Sequence, residues 1–159
     1  MYEGYYKNNL GCFFGRLIHI DGDIYQGEFE NDQAHGFGYY LSKDGSYFRG
    51  FWENDKQHGK GFERWPDGSR FEGSYVNGQK QGPGAFIWGD GNVYEGNFEA
   101  NNIEGTGRYR WNNGPNSGRE YNGSWKENKM HGYGVEKWAD GKRYEGEYVM
   151  DRKQGKGNY

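Results

Sequence analysis

The sequence lacks most of what a thick hydrophobic core is made from. Ala, Val, Leu and Ile are scarce. Only 32% of the 159 residues are hydrophobic, and that share contains the aromatic residues, 19% of the chain. A core several side chains deep is excluded, and a thin structure is implied. There is one cysteine, Cys12, so no internal disulfide forms, which fits a reducing compartment. No Cys–His motif or helix start surrounds it to make it a nucleophile. No apolar run is long enough to cross a bilayer, and no signal peptide is expected. Charge of one sign is nowhere concentrated. The 20 basic and 23 acidic residues are spread evenly, for a net charge of −3, which excludes a nucleic-acid surface or a strongly cationic membrane surface. Helical periodicity is also missing, and glycine interrupts the chain every eight or nine residues. A soluble, cytoplasmic, non-helical protein is expected.

Glycine and aromatic residues are abundant: 30 Gly, six Trp, 15 Tyr and 10 Phe. High glycine with few aliphatics can mean disorder, but disordered chains are poor in aromatics. The placement of the glycines decides the matter. Aligned on an aromatic followed two residues later by Gly, repeats begin at Tyr2, Tyr25, Phe48, Phe71, Tyr94, Tyr121 and Tyr144. The spacing is 23 residues, except for 27 between Tyr94 and Tyr121. Position 3 is always Gly, and position 5 always aromatic: Tyr6, Phe29, Trp52, Tyr75, Phe98, Trp125, Tyr148. Position 12 is Gly except at Phe13, and position 14 is Gly from Gly15 to Gly157. Positions 20 and 21 read Asp-Gly five times and Asn113-Gly114 once. These positions hold 26 of the 30 glycines, so glycine follows a template rather than low complexity.

Positions 1, 3 and 5 alternate, so they share one face of a strand. Positions 12, 14, 16 and 18 are expected to do the same on the next strand, with Trp65, Trp88, Trp111 and Trp138 at position 18. The glycines leave slots in which neighbouring rings lie flat against backbone. Such ring pairs add roughly 0.5–1.5 kcal/mol each beyond area burial. Asn, Asp and Gly at positions 6 to 10 suit a hairpin turn, and Asp-Gly at 20–21 turns the chain back. Each repeat is then two antiparallel strands. The fold class is all-β: an elongated single-layer antiparallel meander of successive hairpins, a twisted ribbon or groove.

The pattern, as in "YEGEYVMDRKQGKG" and "FRGFWENDKQHGKGFERWPDG", resembles the MORN (membrane occupation and recognition nexus) repeat family over essentially the whole chain. The resemblance implies one array over residues 1–159, with repeats 2–24, 25–47, 48–70, 71–93, 94–120 carrying a four-residue insertion, 121–143, and a partial repeat 144–159. It also implies an elongated sheet of hairpins and a scaffold or interaction role. Known settings are radial-spoke heads of cilia, junctophilins, plant phosphatidylinositol-phosphate kinases and a SET-domain lysine methyltransferase. A structural protein of the cytoskeleton, cilium or axoneme is the leading expectation. Binding to acidic phospholipids, or targeting of an enzyme in the same polypeptide, are the alternatives. Basic turn residues such as Lys56, Lys80, Lys129, Arg152 and Lys153 lie beside acids, which speaks against an anionic membrane.

Nothing in the pattern points to catalysis, a cofactor or a metal. His35, His58 and His131 recur at position 11. Neighbouring repeats lie two strands apart, so these rings sit roughly 9–10 Å from one another, too far to share a metal bound at ~2 Å. Asp21, Asp44, Asp67, Asp90 and Asp140 recur as paired carboxylates would in a glycosidase. Asn113 replaces Asp without breaking the template, which a turn tolerates and a catalytic acid does not. "GKGFERWPDG" opens a strand rather than a helix, so it is not a phosphate loop.

Three surfaces depart from the template. In "LGCFFGRLIHI", Phe13, Phe14, Leu17, Ile18 and Ile20 put apolar groups on both faces of one strand, a surface for a partner or a second copy. The aromatic face carries Tyr2, Tyr25, Phe48, Phe71, Tyr94, Tyr121 and Tyr144 in a row, with Trp52, Trp125 and the four position-18 Trp beside it. A helix or extended peptide could lie along it. The insertion "WNNGPNSGREY" makes a protruding loop, with Pro115 and Ser117 in it and Arg119 and Glu120 as its charged contacts. Both sheet edges expose backbone groups, so the array is expected to continue in a longer protein, to pair with a partner, to form a homodimer, or to assemble within a large complex.

Overall fold

The computed structural model describes residues 1–7 and 10–158, the side chains of Lys7, Leu10, Cys12 and Lys156 excepted. The expectation for Cys12 therefore lies outside the described side chains. Fourteen strands follow in order: β1 Tyr2–Lys7, β2 Leu10–Ile18, β3 Ile24–Glu30, β4 Gln33–Leu41, β5 Tyr47–Glu53, β6 Lys56–Arg64, β7 Arg70–Val76, β8 Gln79–Ile87, β9 Val93–Glu99, β10 Asn102–Arg110, β11 Glu120–Lys126, β12 Lys129–Lys137, β13 Arg143–Val149 and β14 Arg152–Asn158. The fold is all-β, an open antiparallel meander with strand order equal to chain order. Each repeat contributes two strands. Contacts divide the chain into two compact units, Met1–Gln79 and Lys80–Tyr159. Each is built in the same way.

Position-3 and position-14 glycines meet across the strands. In the first unit the register brings Gly4, Gly15, Gly27, Gly38, Gly50, Gly61 and Gly73 into one line. In the second, Gly84, Gly96, Gly107, Gly123, Gly134 and Gly146 make the same line. The position-1 rings of Tyr2, Tyr25, Phe48, Tyr94, Tyr121 and Tyr144 lie over this glycine floor. Where position 1 is Tyr, the hydroxyl donates to the carbonyl of position 4 on its own strand, as Tyr25 does to Glu28 at 2.8 Å and Tyr121 to Ser124 at 2.8 Å. A Cβ on Gly38 would stand 2.2–2.6 Å from the Tyr25 side chain. Only hydrogen leaves room for the ring.

Between these rings stand the position-5 rings, and the two sets form a zig-zag. In the first unit Phe29, Tyr25, Trp52, Phe48, Tyr75 and Phe71 follow one another at 5.0–5.5 Å, edge to face. In the second, Phe98, Tyr94, Trp125, Tyr121, Tyr148 and Tyr144 do so at 5.1–5.5 Å. Edge-to-face contact is the geometry that the ring quadrupoles favour. This ladder is the core. Trp52 and Trp125 also donate their indole N–H to the carbonyls of Gly38 and Gly107 in the preceding repeat.

The hairpin turns carry the remaining template. Asn54 and Asp55 have φ of 49° and 68°, and the other described turns repeat the pair of positive angles, as a type I′ turn requires. The position-8 side chain has a second task that the sequence did not display. Asp55 accepts the N–H of Ala34 in the preceding repeat at 2.7 Å, and its own N–H donates to the Ala34 carbonyl at 3.0 Å. Asn101, Asn128 and Asp151 bracket Lys80, Ile103 and Met130 in the same way. The position-20 carboxylates accept the N–H two residues on, as Asp67 does from Ser69 and Asp140 from Lys142, which is an Asx turn.

Position 12 differs from expectation. It does not share the face of positions 14, 16 and 18. Gly36, Gly59, Gly105 and Gly132 have φ between 84° and 100°, and the strand register shifts beside them. This is a bulge, and a Cβ there would meet the position-4 side chain on the opposite face. Phe13 adopts the same angle, φ 63°, without being glycine.

Candidate functional site

The expected aromatic surface divides into two parts with different burial. Tyr25, Phe48, Phe71, Tyr94, Tyr121, Tyr144 and Trp125 are buried. They are core, and their rings are closed to a partner. Tyr2 and Trp52 are half-buried. Burial pushes the hydroxyl of Tyr94 up to about 12, and desolvation raises Tyr25 and Tyr121 further. The part left accessible is the row at positions 16 and 18. In the second unit Phe86, Trp88, Tyr109 and Trp111 stack at 4.4–5.2 Å along it, all half-buried. Trp65 and Trp138 occupy the same template position and are half-buried too.

In the first unit this face carries a cleft of about 260 Å³ lined by Leu17, His19, Tyr25, Phe29, Tyr40 and Trp52 among others. At its rim the Tyr40 hydroxyl donates to Asp23 at 2.6 Å. That bond and the Lys43 N–H hold the Asp23 carboxyl below its usual range, while burial and Asp23 push Tyr40 up.

The insertion requires a correction. Gly118, not Gly114, takes the template glycine's place: its N–H donates to the Trp111 carbonyl at 2.9 Å, as that of Gly91 does to Trp88. The added residues form a short 3-10 turn, Gly114–Asn116. Pro115 and Ser117 are exposed on it. Arg119 and Glu120 are not free charges. Arg119 donates through Nε to the fully buried Glu136 and lies over Trp111, 4.3 Å from the ring centre. Glu120 pairs with Arg108 at 2.7 Å. Glu136 also accepts the hydroxyl of Tyr148 at 2.7 Å, and burial together with this bond raises the Tyr148 hydroxyl. Glu63 and Tyr75 repeat the motif in the first unit. Sequence reading missed both pairs, although a Glu at position 16 in just those repeats followed by Tyr at position 5 was the available signal.

Two of the position-11 histidines, His58 and His131, are second inter-repeat clips, whereas the Nδ1 of His35 is buried without a hydrogen-bond partner among the described residues. Nδ1 of His58 and His131 accepts the N–H of Asn77 and Met150, and Gln81 and Glu104 do the same work in other repeats. His35 and His58 also reach Glu30 and Glu53 through Nε2, at 3.2 and 3.4 Å. Residues as different as His, Gln and Glu serve one purpose there, which is structural.

On the first hairpin Phe13, Phe14 and Ile20 are exposed, and Leu17 and Ile18 are half-buried. Phe13 is held in a left-handed conformation, which costs an L-residue about 1–2 kcal/mol. Phe13→Gly removes that strain but adds about 0.5–1 kcal/mol of chain entropy on folding. A net stabilisation of about 1 kcal/mol is expected in urea unfolding. A loss of stability would mean that the exposed ring is anchored rather than strained.

The MORN repeat family matches this chain at residues 25–47, 48–70, 71–93, 94–115, 121–143 and 144–159. The gap at 116–120 falls on the rebuilt turn. Among solved structures, the chain is similar to the SAS-4 (dCPAP) TCP domain of Drosophila melanogaster in complex with a proline-rich motif of Ana2 (dSTIL). Identity is 12% over 86% of this chain and 73% of that one, with a TM-score of 0.49. It is also similar to the wild-type TCP10 domain of Danio rerio CPAP in complex with a peptide of Danio rerio STIL, at 11% identity over 85% and 68%, with a TM-score of 0.32. No curated protein matches.

Proposed function

We propose that this chain, which belongs to the MORN repeat family, is a non-enzymatic scaffold that binds other proteins in a cytoskeletal or ciliary assembly such as the axoneme. One observation carries the reading: the repeated side chains are engaged within the molecule. From Tyr25 on, the position-1 rings are core and most of the position-5 rings with them, and polar side chains at positions 8, 11 and 20, such as Asp55, His58 and Asp67, close onto backbone N–H groups. The repeat is a frame whose units each support their neighbours. What a partner can read is what the frame leaves accessible: Phe14, Ile18 and Ile20 on the first hairpin, Trp88, Trp111 and Trp138 along the half-buried row of the second unit, Trp65 by itself in the first, and Pro115 and Ser117 on the loop. A helix or extended peptide suits the Trp row. A free sheet edge suits pairing with a partner strand or a second copy.

A pull-down from the native cell with mass spectrometry tests this, with wild type run beside Phe14→Ser/Ile18→Ser. Wild type is expected to recover cytoskeletal or axonemal polypeptides roughly tenfold above the variant, the worth of about 1.4 kcal/mol. Equal recovery by the two sinks the first hairpin as the contact. Flotation with phosphatidylserine or phosphoinositide vesicles separates the membrane alternative: salt-sensitive binding at physiological ionic strength would favour lipid. A kinase or SET domain in the same polypeptide would favour the targeting role.

A further inference from the structure

The face opposite the ring ladder differs between the two units. In β4 to β6 of the first unit it carries Phe37, Tyr39, Leu41, Tyr47, Phe51 and Phe62. The same template positions of the second unit hold Thr106, Arg108, Arg110, Glu120, Ser124 and Val135. There the charges neutralise each other: Arg108 pairs with Glu120, Arg110 with Glu95 and Arg143 with Glu145. In the first unit Phe37, Tyr39, Leu41 and Phe51 are 38–51% exposed. Phe37 meets Tyr39 and Phe51 edge to face at 5.5 and 5.6 Å, so the rings stand in a fixed array. Among the described residues Arg16, Arg49, Arg64 and Arg70 of this face have no carboxylate at ion-pair distance, and Arg49 lies over Phe62 at 4.8 Å. Exposed aromatic patches of this kind mark contact sites.

We infer that this face of the first unit docks an extended peptide carrying carboxylates and prolyl or aliphatic side chains. The inference rests on the scaffold reading and gives it a partner chemistry. A cleft of about 440 Å³ lies between Arg16, Ile24, Gln26, Tyr39, Leu41 and Tyr47. Arg16, Gln26, Tyr39 and Arg49 follow one another in register across four strands. Arg16 and Arg49 are three strand spacings apart, about 14 Å. An extended or polyproline chain advances ~3.1–3.3 Å per residue. Two carboxylates four or five residues apart therefore meet both arginines, with the residues between them on Tyr39. Rigid aromatic surfaces suit prolyl chains, whose conformation is already set.

Charge argues against other occupants. A second copy docked by the same face brings two surfaces of net positive charge together, since Arg16, Arg49, Arg64, Arg70 and Lys60 outnumber Glu3, Glu28 and Glu72 on it. An anionic bilayer is wide enough to meet both margins of the face. One margin carries Asp21, Asp44 and Asp67 in its turns, and the other carries the exposed Glu30 and Glu53. A narrow peptide avoids both.

The test uses an immobilised array of synthetic peptides with two glutamates separated by three or four prolyl and leucyl residues, and a matched array with glutamine. The glutamate array is expected to bind, and Tyr39→Ser and Arg49→Gln each to weaken it roughly tenfold with an unchanged thermal midpoint. Equal binding to the glutamine array, indifference to both variants, or blank arrays overturns the inference. So does flotation with phosphatidylserine vesicles, or self-association in sedimentation, that these variants abolish while the arrays stay blank. Blank arrays beside a successful pull-down overturn this inference alone and leave the scaffold standing.

Discussion

Gly107→Ala is expected to destabilise the second unit by about 3–5 kcal/mol. The added methyl would lie 2.2 Å from the Tyr94 hydroxyl oxygen and 2.4 Å from two ring carbons. Tyr94 is fully buried. Its ring is held edge to face between Phe98 and Trp125 at 5.3 and 5.5 Å, and its hydroxyl donates to the Asn97 carbonyl at 2.9 Å. The backbone beneath cannot retreat, because Gly107 is paired with Gly96 on one side and Gly123 on the other. The ring must leave its slot, and losing a buried aromatic costs roughly 3–5 kcal/mol. Small domains are stable by only about 5–15 kcal/mol. Urea unfolding followed by tryptophan fluorescence measures the effect. If the clash is its cause, adding Gly107→Ala to Tyr94→Ala changes little further. A single variant within about 0.5 kcal/mol of wild type would refute the glycine floor.

The second unit is expected to unfold cooperatively within about two pH units above pH 10, and the first to lose stability over the same range. Tyr25, Tyr75, Tyr94, Tyr121 and Tyr148 are at most 2% exposed. Desolvation raises all five hydroxyls above their ordinary value, Tyr94 to about 12 and the others beyond it; the Glu63 and Glu136 carboxylates push Tyr75 and Tyr148 further. The folded state keeps these protons while the unfolded chain releases them near pH 10. The neutral tyrosines therefore contribute stability fully present below pH 10 and lost as pH rises toward the folded values. Each lost proton amounts to about 1.4 kcal/mol per pH unit. The two in the first unit approach roughly 3 kcal/mol per pH unit and the three in the second roughly 4, so two pH units remove roughly 8 kcal/mol from the second unit, enough to exhaust the stability of a small domain. The part of the tyrosinate absorbance that belongs to the buried tyrosines should appear together with the loss of the far-ultraviolet circular dichroism of the sheet. Full ionisation near pH 10 with the sheet signal intact would contradict the buried ladder.

The sequence by itself determined the repeat, the strands, their hairpins and the buried row. Each of these depends on local rules: side chains alternate along a strand, and left-handed turn residues announce themselves as Asn, Asp or Gly. Tyr94 facing Gly107 could be expected from two positions of one 23-residue template. What the sequence left hidden depends on register between strands. Asp55 reads as a turn residue until Ala34, 21 residues earlier, is placed against it. Position-12 glycine follows strand parity on paper, and only the register shift shows it to be a bulge. Arg119 reads as an exposed loop charge until Gly118 takes over the turn and aims it at Glu136. The exposed aromatic face of the first unit was legible as composition but not as a surface. Phe37, Tyr39 and Phe51 become one array only when antiparallel pairing sets Phe37 against Phe51, because contact across strands is a property of the sheet and not of the chain.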